Sequence, residues 1–175
     1  MIENYRLNKN IFKEVFMKKV LIIYHSKTGN TEEMAKSVAE GVKEENLEVI
    51  LKSVEDTKVE DMLDADGIIV GSPTYFGLPS YEIKKLFDES VKYYGSLEGK
   101  VGGAFTSSAL VGGGNETTIM GIIQIMLIHG MIIQGTTKSN HYGPVSIGKP
   151  DNKVKNECKE LGKRVAKLIK KIKGE

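Results

Sequence analysis

The sequence predicts an α/β protein built as a doubly wound sandwich, a five-stranded parallel sheet covered by helices on both faces. Three observations predict it. Short, continuously apolar runs alternate five times with helix-patterned stretches along the 175 residues, the pattern of strands buried on both faces. No repeat or low-complexity linker interrupts that alternation. Loops rich in Gly, Ser, Thr, Asn and Pro follow the first, third and fourth apolar runs, and the opposite ends carry no such concentration. Right-handed crossovers make the doubly wound sheet the economical solution, and ligands of such sheets sit outside the carboxyl ends of the strands.

Taken in order, residues 20–24 (VLIIY) form the first strand. Residues 30–45 predict a helix, because Met34, Val38 and Val42 recur at four-residue spacing behind an acidic first turn. Residues 47–53 are the second strand and 67–71 (GIIVG) the third, which runs into the turn-forming loop SPTYFGLPS. Over residues 80–93, Ile83, Leu86 and Phe87 share one helical face. Residues 100–106 form the fourth strand and lead into the glycine-rich loop 110–115. Residues 116–129 read as a helix with little polar surface, and 131–134 as a short fifth strand. The last helix, 153–173, carries the stripe Val154, Cys158, Leu161, Val165, Leu168 and Ile172. Its lysines from 163 onward read as a solvated face, with cations near the helix C-terminus.

Length and composition suit one globular, soluble domain over residues 17–175, with 40% hydrophobic and 27% charged residues. Residues 1–16 (MIENYRLNKNIFKEVF) lack a continuous apolar centre and so do not read as a signal peptide. They are either an appended extension, since Met17 opens a natural-looking start, or a short helix packing Ile11, Phe12, Val15 and Phe16 on the domain. The net charge of +2 gives no reason to expect nucleic-acid binding, and the lysine-rich tail lacks base-stacking aromatics. The longest apolar run, 119–128, falls short of the roughly 18 residues of a membrane span. The single cysteine, Cys158, excludes an intramolecular disulfide and suits a reducing cytoplasm. His25, His129 and His141 lie far apart, without metal-ligand spacing.

The loop HSKTGNT joins the first strand to a helix, where unpaired N–H groups meet the positive end of a helix dipole. A phosphate suits that place, and the hydroxyls of Ser26, Thr28 and Thr31 add donors, while Gly29 permits close approach. The same residues also suit simple capping by Asn30 or Thr31 with Glu33 reaching back. The spacing is not that of a nucleoside triphosphatase loop. In SPTYFGLPS, Tyr75 and Phe76 suit either the core or a wall beside a planar ring, with Gly77 free to take an unusual backbone angle. Gly112, Gly113 and Gly114 give either plain flexibility or close approach of a planar ligand to the main chain.

SKTGNT resembles the phosphate loop of flavodoxins, which bind FMN. GSPTYFGLPS, TSSALVGGGNETT and HGMII resemble segments of the flavodoxin-like NAD(P)H:quinone oxidoreductases, the family named after tryptophan-repressor-binding protein. The resemblance runs from about Lys18 to the carboxyl end and implies the strand order 2-1-3-4-5. It implies that Ser26, Lys27, Thr28, Gly29, Asn30 and Thr31 hold the FMN phosphate. Pro73, Thr74, Tyr75, Phe76 and Gly77 would line the flavin ring, and Ser107, Ser108, Ala109, Gly112, Gly113 and Gly114 would approach its other edge. His129 matches a family residue near the cofactor, although a histidine at a helix C-terminus is also favourable for dipole reasons. This chain departs from the family at Thr28, where the quinone reductases usually carry an aromatic that helps to hold the nicotinamide nucleotide. The loop before GGG is also about a residue longer, and residues 134–142 are a short connection.

The implied activity is FMN-dependent electron transfer from NADH or NADPH to quinones or similar small acceptors, with no catalytic group beyond the flavin and no metal. The alternative is a flavodoxin-type one-electron carrier between proteins; flavodoxins are typically acidic, and this chain has a pI near 8.5. A catalytically silent interaction module is a third class with no positive support. The 116–129 helix has apolar residues on every side, which predicts either a homo-oligomer, dimer or tetramer, with that helix at or near an interface, or cover within one chain by the glycine loop, the last helix or residues 1–16.

Overall fold

The computed structural model describes residues 17–174, so both readings of residues 1–16 lie outside the described residues. The principal strands are β1 (Lys19–Tyr24), β2 (Glu48–Ser53), β3 (Gly67–Tyr75) and β5 (Val101–Ser108). Three short strands join them: β4 (Leu78–Pro79), β6 (Ile132–Ile133) and β7 (Val145–Ile147). The helices are α1 (Asn30–Glu44), α2 (Val59–Leu63), α3 (Tyr81–Glu89), α4 (Asn115–Ile128) and α5 (Asn152–Lys173). The sheet runs β2-β1-β3-β5-β6 with every neighbour parallel, while β4 folds back on β3 and β7 pairs with β5. With β4 and β7 set aside, this is the expected order 2-1-3-4-5.

The period of two along β1 divides the interior into two cores. Val20 and Ile22 face the helices α1 and α5, packing with Met34, Val38, Val42, Leu161 and Val165. Leu21 and Ile23 face α2, α3 and α4, packing with Met62, Ile83, Phe87, Ile119 and Ile122. All four β1 side chains are fully buried, which is why this strand reads as an uninterrupted apolar run.

Several boundaries differ from the sequence reading. β3 continues through Ser72 and Pro73, which pair with Thr106 and Ser107, and then turns back into β4. Six of the nine residues of SPTYFGLPS are therefore strand, and only Phe76 and Gly77 make the turn. β5 likewise extends to Ser108. The fifth strand is split: β6 pairs with Val101 and Gly102, and β7 with Thr106 to Ser108. The segment between them leaves the sheet and returns, so neither piece carries a full strand pattern. The helix read over 80–93 ends at Glu89 and tightens into a 3-10 turn, Ser90–Tyr93. The five-residue α2 has too few turns to show a period.

The lysines of α5 are not merely a solvated face. Lys155, Lys159 and Lys163 reach Glu33, Glu40 and Glu44 of α1 at 2.6–2.7 Å, and Lys167 and Lys170 reach Glu45 at 3.5 and 3.4 Å. Both helices repeat every three to four residues and run parallel, so their facing sides present matching rows. The helices also approach unusually closely. A Cβ added at Gly41 would lie 2.0 Å from the Lys159 carbonyl oxygen, and one at Gly162 would lie 2.2 Å from that of Val38.

Candidate functional site

The carboxyl ends of β1, β3 and β5 bring the three loops together. Thr31 at the start of α1 is buried, and its hydroxyl meets that of Ser107 at 2.8 Å, tying the first loop to the third. The Thr117 hydroxyl donates to the Gly77 carbonyl at 2.6 Å and ties the third loop to the second. Thr74 and Thr106 meet at 3.0 Å below that contact. Gly114 packs directly on this junction, since a Cβ there would stand 2.4 Å from the Gly77 Cα.

At the first loop, α1 begins on Gly29 at φ 86°, and no side chain caps it. The capping alternative is thus not realised. Ser26 instead accepts a bond from the Gly29 amide at 3.1 Å, which folds the loop into a turn. Glu32 and Glu33, which compete with an anion for the helix dipole, are held elsewhere by Lys36 and Lys155, each at 2.6 Å. Lys155 holds the Glu33 carboxyl below the usual carboxylate range. A Cβ added to Gly29 would meet nothing within 4 Å, so the loop opens outward. Free N–H groups at an uncapped helix start, a serine and two threonines, and an open mouth fit a phosphate group.

The second loop presents its aromatics outward. Phe76 is fully exposed at φ 50°, a strained angle for an aromatic residue, and Tyr75 is 37% exposed. The Lys27 ammonium lies 5.5 Å from the Tyr75 ring centre. The core reading of these two residues therefore fails, because neither side chain is buried. The third loop starts in strand at Ser107 and Ser108, then exposes Leu110 and Val111 before α4 begins on Gly114 at φ 97°. Asn115 is not its cap: the side chain is buried and its amide reaches back to the Leu110 carbonyl at 3.5 Å. A cavity of about 470 Å³ continues from Val111, Gly112 and Asn115 to Ser146, Ile147 and Lys149 beside β7. The loop compositions carried no sign of this last wall. A larger cavity, about 710 Å³, lies away from the loops between residues 134–144 and α5.

His129 does not join the site. α4 starts at the loops and runs away from them for about 20 Å. His129 caps its far end, where Gly130 meets Gly99 ahead of β5. The ring is 7% exposed, packs between Phe87 and Tyr94, and shares a hydrogen bond of 3.0 Å with Ser90. Burial lowers its basicity. It is a core histidine, and its place in the motif HGMII marks the end of a helix. Among the described residues no cluster of His, Cys, Asp and Glu could hold a metal ion, and no helix is long and apolar enough to cross a membrane.

A parallel sheet of order 2-1-3-4-5 with three joined loops at the carboxyl edge defines a doubly wound protein of the class whose ligands sit at that edge. The chain belongs to the flavodoxin family, whose model matches residues 22–120. It is 42% identical over 162 residues to a flavodoxin of Aquifex aeolicus, covering 87% of this chain and 88% of that one. It is 35% identical over 190 residues to an NAD(P)H dehydrogenase (quinone) of Archaeoglobus fulgidus, covering 89% of this chain and all of the relative. Among solved structures, a flavodoxin, WrbA-like protein from Agrobacterium tumefaciens superposes with a TM-score of 0.74 at 29% identity, covering 88% and 98% of the two chains. A flavodoxin from the domain Archaea gives 0.73 at 29% identity over 87% and 99%.

Proposed function

We propose that the protein is an FMN-dependent oxidoreductase that passes electrons from NADH or NADPH to quinones or similar small acceptors. The observation that carries this reading is the uncapped start of α1 joined by Thr31 and Ser107 to the loop of exposed glycines and apolar side chains. Ser26, Lys27, Thr28, Gly29, Asn30 and Thr31 hold the phosphate, the amides and hydroxyls supplying donors. Pro73, Thr74, Tyr75, Phe76 and Gly77 wall one side of the ring, and Ser107, Ser108, Ala109, Gly112, Gly113 and Gly114 approach its other edge. The bound flavin supplies the hydride and single-electron chemistry, which needs no nucleophile from the chain. The relatives named NAD(P)H dehydrogenase (quinone) support this reading. We also infer a homo-oligomer, dimer or tetramer, with α4 at its interface, because Leu127 and Ile128 are 54% and 68% exposed.

The relative named flavodoxin favours a second reading, a one-electron carrier between proteins; the pI near 8.5 weighs against it. Steady-state oxidation of NADH or NADPH by FMN-loaded protein with a quinone separates the two. Turnover supports the enzyme. No turnover, with a stable long-wavelength band midway through a reductive titration, supports the carrier.

A further inference from the structure

One buried titratable side chain stands behind the aromatic wall of the site. His25 directly follows the first core strand and is 3% exposed. Its Nδ1 lies 3.3 Å from Glu82 Oε2 on α3, and its Nε2 lies 3.6 Å from Glu55 Oε1 after β2. Neither approach is an aligned hydrogen bond, and Nδ1 is out of reach of solvent without a partner. The third neighbour of the ring is Tyr75, met edge to face with centroids 6.2 Å apart and planes at 76°. His25 and Lys27 thus both lie against the Tyr75 ring.

We propose that His25 is a positioning residue of the flavin site, a proton-operated stop that fixes Tyr75 when charged and releases it when neutral. The proposal takes its functional meaning from the flavin reading above; its mechanics do not depend on that reading. A charged imidazole donates from both nitrogens and lies between the Glu55 and Glu82 carboxylates. A neutral one donates from a single nitrogen, so one bracket opens and a buried nitrogen stays unpaired. Glu55 faces the ring from the segment after β2, Glu82 from α3, Tyr75 from β3, and Lys27 follows in its own loop. Lys85 and Glu89 of α3 line the small cavity that Glu55 and Glu82 share. Burial works to raise the Glu82 carboxyl, but its own backbone amide and the charge of His25 outweigh it and hold the group below its ordinary range.

Flavin affinity then falls when His25 loses its proton. FMN confuses a pH readout, because its phosphate monoester changes charge near about pH 6, so riboflavin is the probe. Fluorescence titrations at about pH 5.5 and pH 8.5 compare wild type, His25→Gln and Glu82→Gln. Wild type should bind riboflavin about fivefold more weakly at the higher pH, the size of one ion-pair contact. His25→Gln should bind equally weakly at both, and Glu82→Gln should narrow the contrast. A pH ratio in His25→Gln equal to that of wild type overturns the proposal. In flavin-free wild-type protein, the Tyr75 ring resonances should follow the titration of His25 by NMR. A Tyr75 that stays still while His25 titrates overturns the stop, even if no flavin binds. Wild type without affinity for FMN or riboflavin at either pH overturns the flavin reading instead, and the NMR coupling still decides the stop.

Discussion

Phe76 holds its ring entirely in solvent at φ 50°. A left-handed angle costs a residue with a Cβ about 1–2 kcal/mol, and here no burial offsets it. That combination suits a side chain kept for a ligand. Phe76→Gly removes the strain and loses no packing, so thermal unfolding should show a fold at least as stable as wild type, while FMN affinity drops. Tighter FMN binding by that variant would remove Phe76 from the ring wall. Gly29 and Thr31 make a companion test at the phosphate loop. A leucine at Gly29 enters open space at the loop mouth, and a glutamate at Thr31 adds repulsion and breaks the contact with Ser107. The double variant Gly29→Leu, Thr31→Glu should release FMN, and unchanged affinity would place the phosphate elsewhere.

Elements stand close because particular residues let them. Gly162→Ala gains about 1 kcal/mol of helix propensity, yet its methyl would sit 2.2 Å from a backbone oxygen of α1. Backbone cannot step aside cheaply, and overpacking costs about 1–3 kcal/mol or more. The clash wins, so a lower urea midpoint is expected; a midpoint at or above wild type would show that α1 and α5 slide freely. The link between α2 and the 3-10 turn answers to pH. Lys92 and Tyr93 bond the Glu60 carboxyl at 2.9 and 2.7 Å and bring its pKa down from 4.5 to about 2. A depressed carboxyl stabilises the fold above its unfolded pKa and loses that contribution as pH falls through its folded pKa. Glu60→Gln should therefore be less stable than wild type near neutrality, with the gap closing between pH 4.5 and about 2. A gap that persists at the acid end would mean that packing, not charge, is lost.

At the scale of the whole molecule, α4 carries more apolar surface than one core absorbs. Ile119, Ile122, Ile123 and Met126 are buried, whereas Leu127 and Ile128 face outward. A symmetric copy is the commonest cover for such a face. Sedimentation of the FMN-loaded protein at micromolar concentration should give a species of at least twice 19.3 kDa. A clean monomer would leave that face as plain surface. Replacing Ile128 by lysine should shift the equilibrium toward monomer without unfolding the chain, since its side chain lies outside both cores.

The sequence by itself determined the layer order and the edge of the sheet that carries the loops. Val20 to Ile23 are buried on both faces, and that burial writes itself as an unbroken apolar run. The loops at the carboxyl ends were legible because turns, uncapped helix starts and close approaches demand particular residues. Tertiary structure alone decided three matters. The split of the fifth strand into β6 and β7 depends on which stretches of β5 are free to pair, a choice absent from local pattern. The lysines of α5 became a ladder only when α1 came alongside with its glutamates in step. His129 stands apart from the loops because helix direction, not motif, sets which end of α4 meets them. The helix carried His129 about 20 Å away, while His25, just after β1, lies edge to face with Tyr75. Contacts between residues 50 or more positions apart leave no local signal, since each partner alone is an ordinary surface or core residue.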